Sequence, residues 1–392
     1  MFELLFRSAI RFAGMCCVAV GQSFAQPSGK SLRRVAMLVL LVPPFVVLQL
    51  VNCVCLALDS LLFPSFRRVR IVSPVFIVGV PRSGTTFLHR DLAIDDASTT
   101  LTAWECLFAP SILQRHVVRG VARIDALIGR PLGRSLSWLE RRLTSRLQKV
   151  HATGLSAPEE DFLTLLPVLG CFLLIVPFPE SRWVWRLGRF DLAMPLHTRQ
   201  QFMEFYRGLV QRHLYFHGSC RRFLSKNPSF SPMVRSLRET FPSCRIVACL
   251  RDPVEAVPSQ LSALRDAMTV FGHDPASQPF RDRFLAQMAW YYEYLLAEFS
   301  KTPGNRQAIV LMPSLRADIS GTVAALYRRF ELPLPVAFQR AVAELDAAAR
   351  SYSSGHRYEA SAFGLSEADI RDRFAAAYRG IGTGTQVSGL AA

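Results

Sequence analysis

Apolar runs of strand length alternate with helical patterns through the middle of this chain. Val75–Val80, Arg245–Leu250 and Ala308–Met312 are short and apolar, and a helix-like pattern follows each. That alternation predicts an α/β fold, a parallel sheet with helices on both faces. The beginning of the chain reads differently. From Val35 to Leu58 there are 24 residues without a charge, bounded by Arg33 and Arg34 before and Asp59 after, a length sufficient to cross a bilayer. Pro43 and Pro44 interrupt the hydrogen-bond ladder inside it, so a kinked helix or an in-plane re-entrant hairpin competes with a straight span and with a buried core helix. Residues 1–26 resemble a secretory signal, with Arg7 and Arg11 ahead of the apolar stretch Phe12–Val20 and small Ser23 and Ala25 after it. An amphipathic anchor is the preferred reading of that stretch.

Between His116 and Lys149, the basic residues Arg119, Arg123, Arg130, Arg134, Arg141, Arg142, Arg146 and Lys149 face only Asp125 and Glu140. Leucines and Trp138 are interleaved, which predicts basic amphipathic helices suited either to anionic headgroups or to a solvated face. Phe162–Pro179 is a second uncharged run, but Pro167, Gly170, Pro177 and Pro179 break it, and it reads as core or pocket lining. These patterns divide the chain into a membrane-associating region (1–70), an α/β domain (71–381) and a flexible tail (382–392).

Composition narrows the class. Half of the 392 residues are hydrophobic and 19% are charged, which excludes a disordered chain, a collagen-like repeat and a disulfide miniprotein. The 46 basic residues outnumber the 30 acidic ones, for a net charge of +16, and this favours an anionic partner: nucleic acid, an acidic membrane face or a phosphorylated ligand. Lysine occurs only at Lys30, Lys149, Lys226 and Lys301, so each one invites inspection. The nine cysteines form no C-x-x-C pair and sit at no zinc-ligand spacing with histidine. Reduced thiols of a cytosolic protein, with neither metal nor redox chemistry, are expected.

The strongest local pattern is a strand, a tight loop and a helix: Val75–Val80, then Pro81-Arg-Ser-Gly-Thr-Thr86. Gly79 and Gly84 are spaced as in a Walker loop, but Thr85 stands where that loop has its lysine. Backbone N–H groups curling into a helix N-terminus still suit a phosphate, and Arg82 offers a cation from inside the loop. A second strand-to-helix turn is expected at Arg251-Asp-Pro-Val-Glu-Ala-Val-Pro-Ser259. Here Asp252 is placed to cap a helix, Pro253 to open it and Glu255 to close a capping box, with Pro258 kinking it beside Ser259.

Together these residues resemble the sulfotransferases that use 3′-phosphoadenosine 5′-phosphosulfate (PAPS), over roughly residues 72–381. Gly79–Thr86 looks like the family's 5′-phosphosulfate loop, and Arg251 with Ser259 like its 3′-phosphate motif. The resemblance implies that Arg82, Ser83, Gly84, Thr85 and Thr86 hold the 5′-phosphate and that Arg251 and Ser259 hold the 3′-phosphate. Arg357, in Ser354-Gly-His-Arg-Tyr358, is a further 3′-phosphate candidate in what looks like the family's closing segment. Leu224-Ser-Lys-Asn-Pro228 resembles a stretch at the reaction centre of the tyrosylprotein branch, which makes Lys226 the cation at the transferring group. Glu105, after Trp104, resembles that branch's catalytic glutamate, a base whose pKa burial beside Trp104 and Phe108 would raise. Pro158-Glu-Glu-Asp161 resembles a stretch of bacterial members, with helix capping as the alternative. His89 and His151 read as structural. Met312-Pro-Ser-Leu315 departs from the acidic strand end often seen in the family.

The reaction implied is transfer of a sulfonyl group to a hydroxyl, without a metal. The apolar runs and basic helices suggest a lipid or other amphiphile as acceptor, met at the membrane surface with the catalytic domain in the cytoplasm and nucleic acid not expected as a partner. Two alternatives stand beside it: a P-loop kinase or NTPase, and a non-catalytic basic protein associated with membranes.

Overall fold

The computed structural model describes residues 2–25, 27–144, 154–301, 304–350 and 359–382. Five parallel strands form one sheet: β1 (Val75–Gly79), β2 (Ser98–Thr99), β3 (Arg222–Lys226), β4 (Arg245–Leu250) and β5 (Gln307–Leu311), in the order β2-β3-β1-β4-β5. Every residue of β1 is buried, as a central parallel strand covered on both faces requires. Its side chains alternate between two cores: Phe76 and Val78 enter the larger one, while Val75 and Ile77 meet Val247, Ala308 and Val310 on the other face.

Register brings three strand ends together. Ile77 pairs with Lys226 of β3, and Gly79 with Cys249 of β4. The chain goes from β1 to β2 and β3 on one side and then crosses to β4 on the other, so a crevice opens at the carboxyl end of β1, where open α/β sheets take ligands. The strands that the pattern predicts at 75, 245 and 308 are present, and Arg222–Lys226 adds a strand beside β1 that the apolar runs do not mark.

Two long helices precede the sheet, α1 (Phe2–Ala25) and α2 (Gly29–Leu62). The second runs on through Pro43 and Pro44 and is capped by Ser28, whose side chain accepts from Ser31 N–H. Both helices contribute to the larger core, through Leu4, Met15, Ala19, Leu38 and Leu56. After β1 come α3 (Thr85–Leu92), α4 (Ala103–Phe108), α5 (Ile112–Leu127) and α6 (Pro131–Thr144). The uncharged run beginning at Phe162 forms two 3₁₀ segments, Asp161–Val168 and Phe172–Ile175. The stretches holding His151, Arg357 and the expected tail from 383 onward lie outside the described residues.

Candidate active site

The loop after β1 is shaped by its two glycines and by one arginine. Gly79 has φ +144°, and a Cβ there would run into the carbonyl of Cys249; Gly84 has φ +89°, and a Cβ there would strike Met312. Met312, from the stretch that departs from the family pattern, therefore floors the loop. Arg82 adopts φ +67°, a left-handed conformation that costs a non-glycine residue about 1 kcal/mol or more. That twist belongs to the kind of turn in which successive N–H groups converge on an anion. Ser83 is buried and its hydroxyl donates to the Val80 carbonyl, which fastens the turn. At the loop's end the first N–H groups of α3 have no preceding turn to bond.

The second motif meets the loop directly. Arg251 Nη1 donates to the Arg82 carbonyl at 3.2 Å, and Arg82 Nε donates to Ser259 Oγ at 3.0 Å. Ser259 is buried on the helix Pro253–Val270, which runs on through Pro258. Asp252 caps that helix, accepting from Val254 N–H, as its position in the sequence suggests. Glu255 does not close the expected capping box. Its carboxylate instead takes the Arg251 guanidinium, at 2.8 Å from Nε and 2.6 Å from Nη2.

Lys226 arrives from the end of β3, almost wholly buried. Its ammonium donates to Thr86 Oγ1 at 3.1 Å and to Glu160 Oε1 at 2.7 Å. A cation thus reaches the loop from the neighbouring strand, in a chain whose loop lacks the Walker lysine. His89 lies beneath, bonded to Thr100. Burial, Lys226 and Arg90 together hold its imidazole well below its ordinary pKa, so it stays neutral beside the ammonium.

The loop and the Arg251 motif border one cavity of about 1440 Å³, larger than the roughly 300–1,000 Å³ of a usual single-ligand pocket, and Lys226 lies behind its wall, bonded to the lining residues Thr86 and Glu160. Arg82, Gly84, Thr85, Thr86, Arg251, Glu255 and Ser259 form its polar end. Phe162, Leu163, Phe172, Leu173 and Ile175 line another wall, with Phe284 and Met288. The pocket-lining role expected of the run from Phe162 is therefore met. Glu159 and Glu160 stand on the cavity wall, whereas Asp161 turns inward and accepts from the Tyr206 hydroxyl. Glu359 and Ala360, just past the segment that contains Arg357, also line it.

Glu105 is not on this wall, contrary to the role of base that the resemblance implies for it. It closes a capping box on α4: its carboxylate accepts from Thr102 N–H at 3.0 Å and from the Thr102 hydroxyl at 2.8 Å. His217 Nε2 lies 2.5 Å from its other oxygen, and Arg115 Nε lies 3.5 Å away. Burial pushes the carboxyl upward, but the His217 hydrogen bond and the charges of Arg115, His213 and His217 prevail and hold it well below the usual carboxylate range. That is the reverse of the raised value a base requires. Glu105, His213 and His217 resemble a metal-ligand set by proximity, yet the Arg115 guanidinium already supplies the neutralising cation. The role left to Glu105 is positional. The turn that it caps pairs with residues 155–159, through Trp104 N–H to Leu155 O and Glu159 N–H to Leu101 O, and so fixes the backbone leading into Glu160.

Glu105→Gln is accordingly expected to cost about 3 kcal/mol of stability at neutral pH, as loss of a buried charge partner does, read by urea unfolding. A carboxyl whose folded pKa is depressed stabilises the fold above its unfolded value, roughly 4.3, and that stabilisation is lost as pH falls through the folded value. The variant should therefore lose less stability than wild type on acidification below about pH 4.3. Equal acid slopes would refute the assignment.

A parallel α/β sheet with a phosphate-type loop at the end of its central strand is the fold of a group-transferring enzyme class, and residues 74–336 match the sulfotransferase family, to which the chain belongs. Among its relatives are the omega-hydroxy-beta-dihydromenaquinone-9 sulfotransferases Stf3 of Mycobacterium bovis and Mycobacterium tuberculosis, each 23% identical over 273 residues. Those matches cover 66% of this chain and 63% of the relatives' length. The solved sulfotransferase STF9 of Mycobacterium avium shares the fold with a TM-score of 0.71 at 16% identity, over 96% of this chain and 95% of that one. STF1 of Mycobacterium tuberculosis H37Rv gives 0.65 at 19% identity, over 96% and 98%. Coverage of 96% takes in most of α1 and α2, which makes these helices part of the shared fold.

Proposed function

We propose that this chain transfers a sulfonyl group from PAPS to the hydroxyl of an amphiphilic acceptor, with its catalytic domain in the cytoplasm. One observation carries the reading: the glycine loop and the Arg251 motif, 169 residues apart, are hydrogen-bonded to each other at a single cavity. Arg82, Gly84, Thr85 and Thr86, with the backbone of Ser83, would hold the 5′-phosphosulfate. Arg251 and Ser259 would hold the 3′-phosphate, Arg251 exchanging Glu255 for the dianion. Lys226 would stand at the bridging oxygen, where negative charge gathers as the S–O bond breaks.

Glu160 replaces Glu105 as the base. It lines the cavity and touches Lys226, so an acceptor hydroxyl entering beside the loop meets a carboxylate and a cation together. Glu160 accepts the hydroxyl proton as the oxygen attacks sulfur, and the bisphosphate leaves. The cavity volume supports simultaneous occupation by donor and acceptor, as in-line transfer requires. Its apolar wall supports an acceptor with a hydrocarbon body, and the relatives that act on a hydroxylated menaquinone derivative agree with that choice.

The test is incubation of the purified chain with sulfur-labelled PAPS and either a lipid extract of the source organism or soluble phenols and sugars. Label in the lipid fraction is expected. Label confined to soluble acceptors would overturn the amphiphile, and magnesium-dependent ATP hydrolysis without sulfonyl transfer would overturn the reaction itself.

A further inference from the structure

Helices α1 and α2 are long and apolar enough to cross a membrane, yet α2 is fastened to the catalytic body at both ends. At its start Arg34 Nη2 lies 2.9 Å from His273 Nδ1 and 3.6 Å from the Glu180 carboxylate. The backbone of Lys30 packs so closely on Gly272 that a side chain there would collide with it. Toward the other end, Asn52 donates to the Leu107 carbonyl and accepts from Gln114 Nε2. Buried Asp59 accepts from Ile112 and Leu113 N–H and pairs with Arg212 at 2.9 Å.

Lys30 to Asp59 spans roughly 44 Å at 1.5 Å per residue, more than the ~30 Å hydrocarbon core of a bilayer. A transmembrane α2 would set these two attachments on opposite sides of the membrane, which one folded body cannot reach. Yet the outward face is apolar: Val39, Leu40, Val47, Leu50 and Val54 are all more than half exposed. Packed beside α2 is α5, which exposes Val117, Val121 and Ile124 along one face with exposed Arg123 at its edge, while Arg119 stacks over the Phe216 ring. Exposed Arg130 and Arg134 follow at the start of α6. At the head of α2, Lys30, Arg33 and Arg265 line a separate cavity of about 590 Å³. An apolar strip flanked by arginines is the pattern of a helix lying in an anionic interface.

We infer that the protein is monotopic: α2, with α1, α5 and α6, seats the catalytic body on an anionic bilayer, in the plane of the interface and without crossing it. This goes beyond the reaction and does not depend on it. The seat also adjoins the cavity. The 3₁₀ segment Asp161–Val168 packs on both α1 and α2, Ser8 Oγ donates to Val168 O, and Phe162 and Leu163 of that segment line the apolar wall.

Two measurements on the full chain decide it. Lys30→Cys and Arg68→Cys bracket α2 at exposed positions; labelled by an impermeant maleimide in right-side-out and inverted membrane vesicles, with wild type as background, both should react from the same side. Reaction from opposite sides means a span and overturns the inference. In co-sedimentation, the full chain should bind vesicles rich in phosphatidylglycerol, and Arg123→Gln with Arg134→Gln should weaken that binding roughly thirtyfold, at about 1 kcal/mol per arginine. Val47→Asp with Leu50→Asp should release the protein while its melting transition is retained. Binding that is indifferent to both pairs, or absent from every vesicle, also overturns it.

Discussion

Glu160→Gln is expected to lower turnover by about 10²- to 10⁴-fold, the usual worth of a general base, while adenosine 3′,5′-bisphosphate binds almost as in wild type. Glutamine keeps the shape of the side chain and can still accept from Lys226, so the site stays assembled; only the capacity to take the hydroxyl proton is gone. Lys226→Met removes the other half of the pair and should cost about 10²- to 10³-fold in turnover, as loss of one transition-state donor does. Glu159→Gln is the control. Its carboxylate lines the same cavity but accepts from the backbone N–H of Glu160, and its loss should change turnover less than tenfold. Single-turnover sulfonyl transfer, with donor affinity measured separately, distinguishes these outcomes. If Glu159→Gln carries the large loss and Glu160→Gln does not, the base has been assigned to the wrong residue.

What the residues disclosed beforehand, and what they hid, follows from the range of each interaction. The loop after β1 and the Asp252 cap are local patterns, set by glycine conformation and by a side chain reaching two residues on, and they could be read from spacing. So could the strand runs at 75, 245 and 308, because a strand buried on both faces must be apolar throughout. Arg222–Lys226 escaped because it begins with arginine and ends with lysine, both placed by what adjoins the strand.

Glu105 carries a local signal of its structural role, since Thr102-x-x-Glu105 is the spacing of a capping box, but the partners that hold its charge, Arg115 and His217, come from two later helices. The Lys226–Glu160 pair joins residues 66 apart in sequence and has no local trace beyond the rarity of lysine. The same holds for α2. Its proline pair reads as a break, yet the helix continues, because both ends are tied to the body by contacts that sequence proximity does not reveal.

Arg251→Ala is expected to weaken adenosine 3′,5′-bisphosphate binding by about 10²- to 10³-fold in calorimetry, the range for removing one member of a hydrogen-bonded charge pair. Ser259→Ala, which removes a neutral hydroxyl, should cost nearer tenfold. The direction reverses at Glu255. That carboxylate pairs with Arg251 and would compete with a 3′-phosphate for it, so Glu255→Gln should free the guanidinium and tighten binding. The sharper comparison uses adenosine 5′-monophosphate, which lacks the 3′-phosphate: Arg251→Ala should scarcely alter its affinity. A loss of equal size for both nucleotides would mean that Arg251 acts through the loop, by its bond to the Arg82 carbonyl, and that its contribution is to hold the turn in shape.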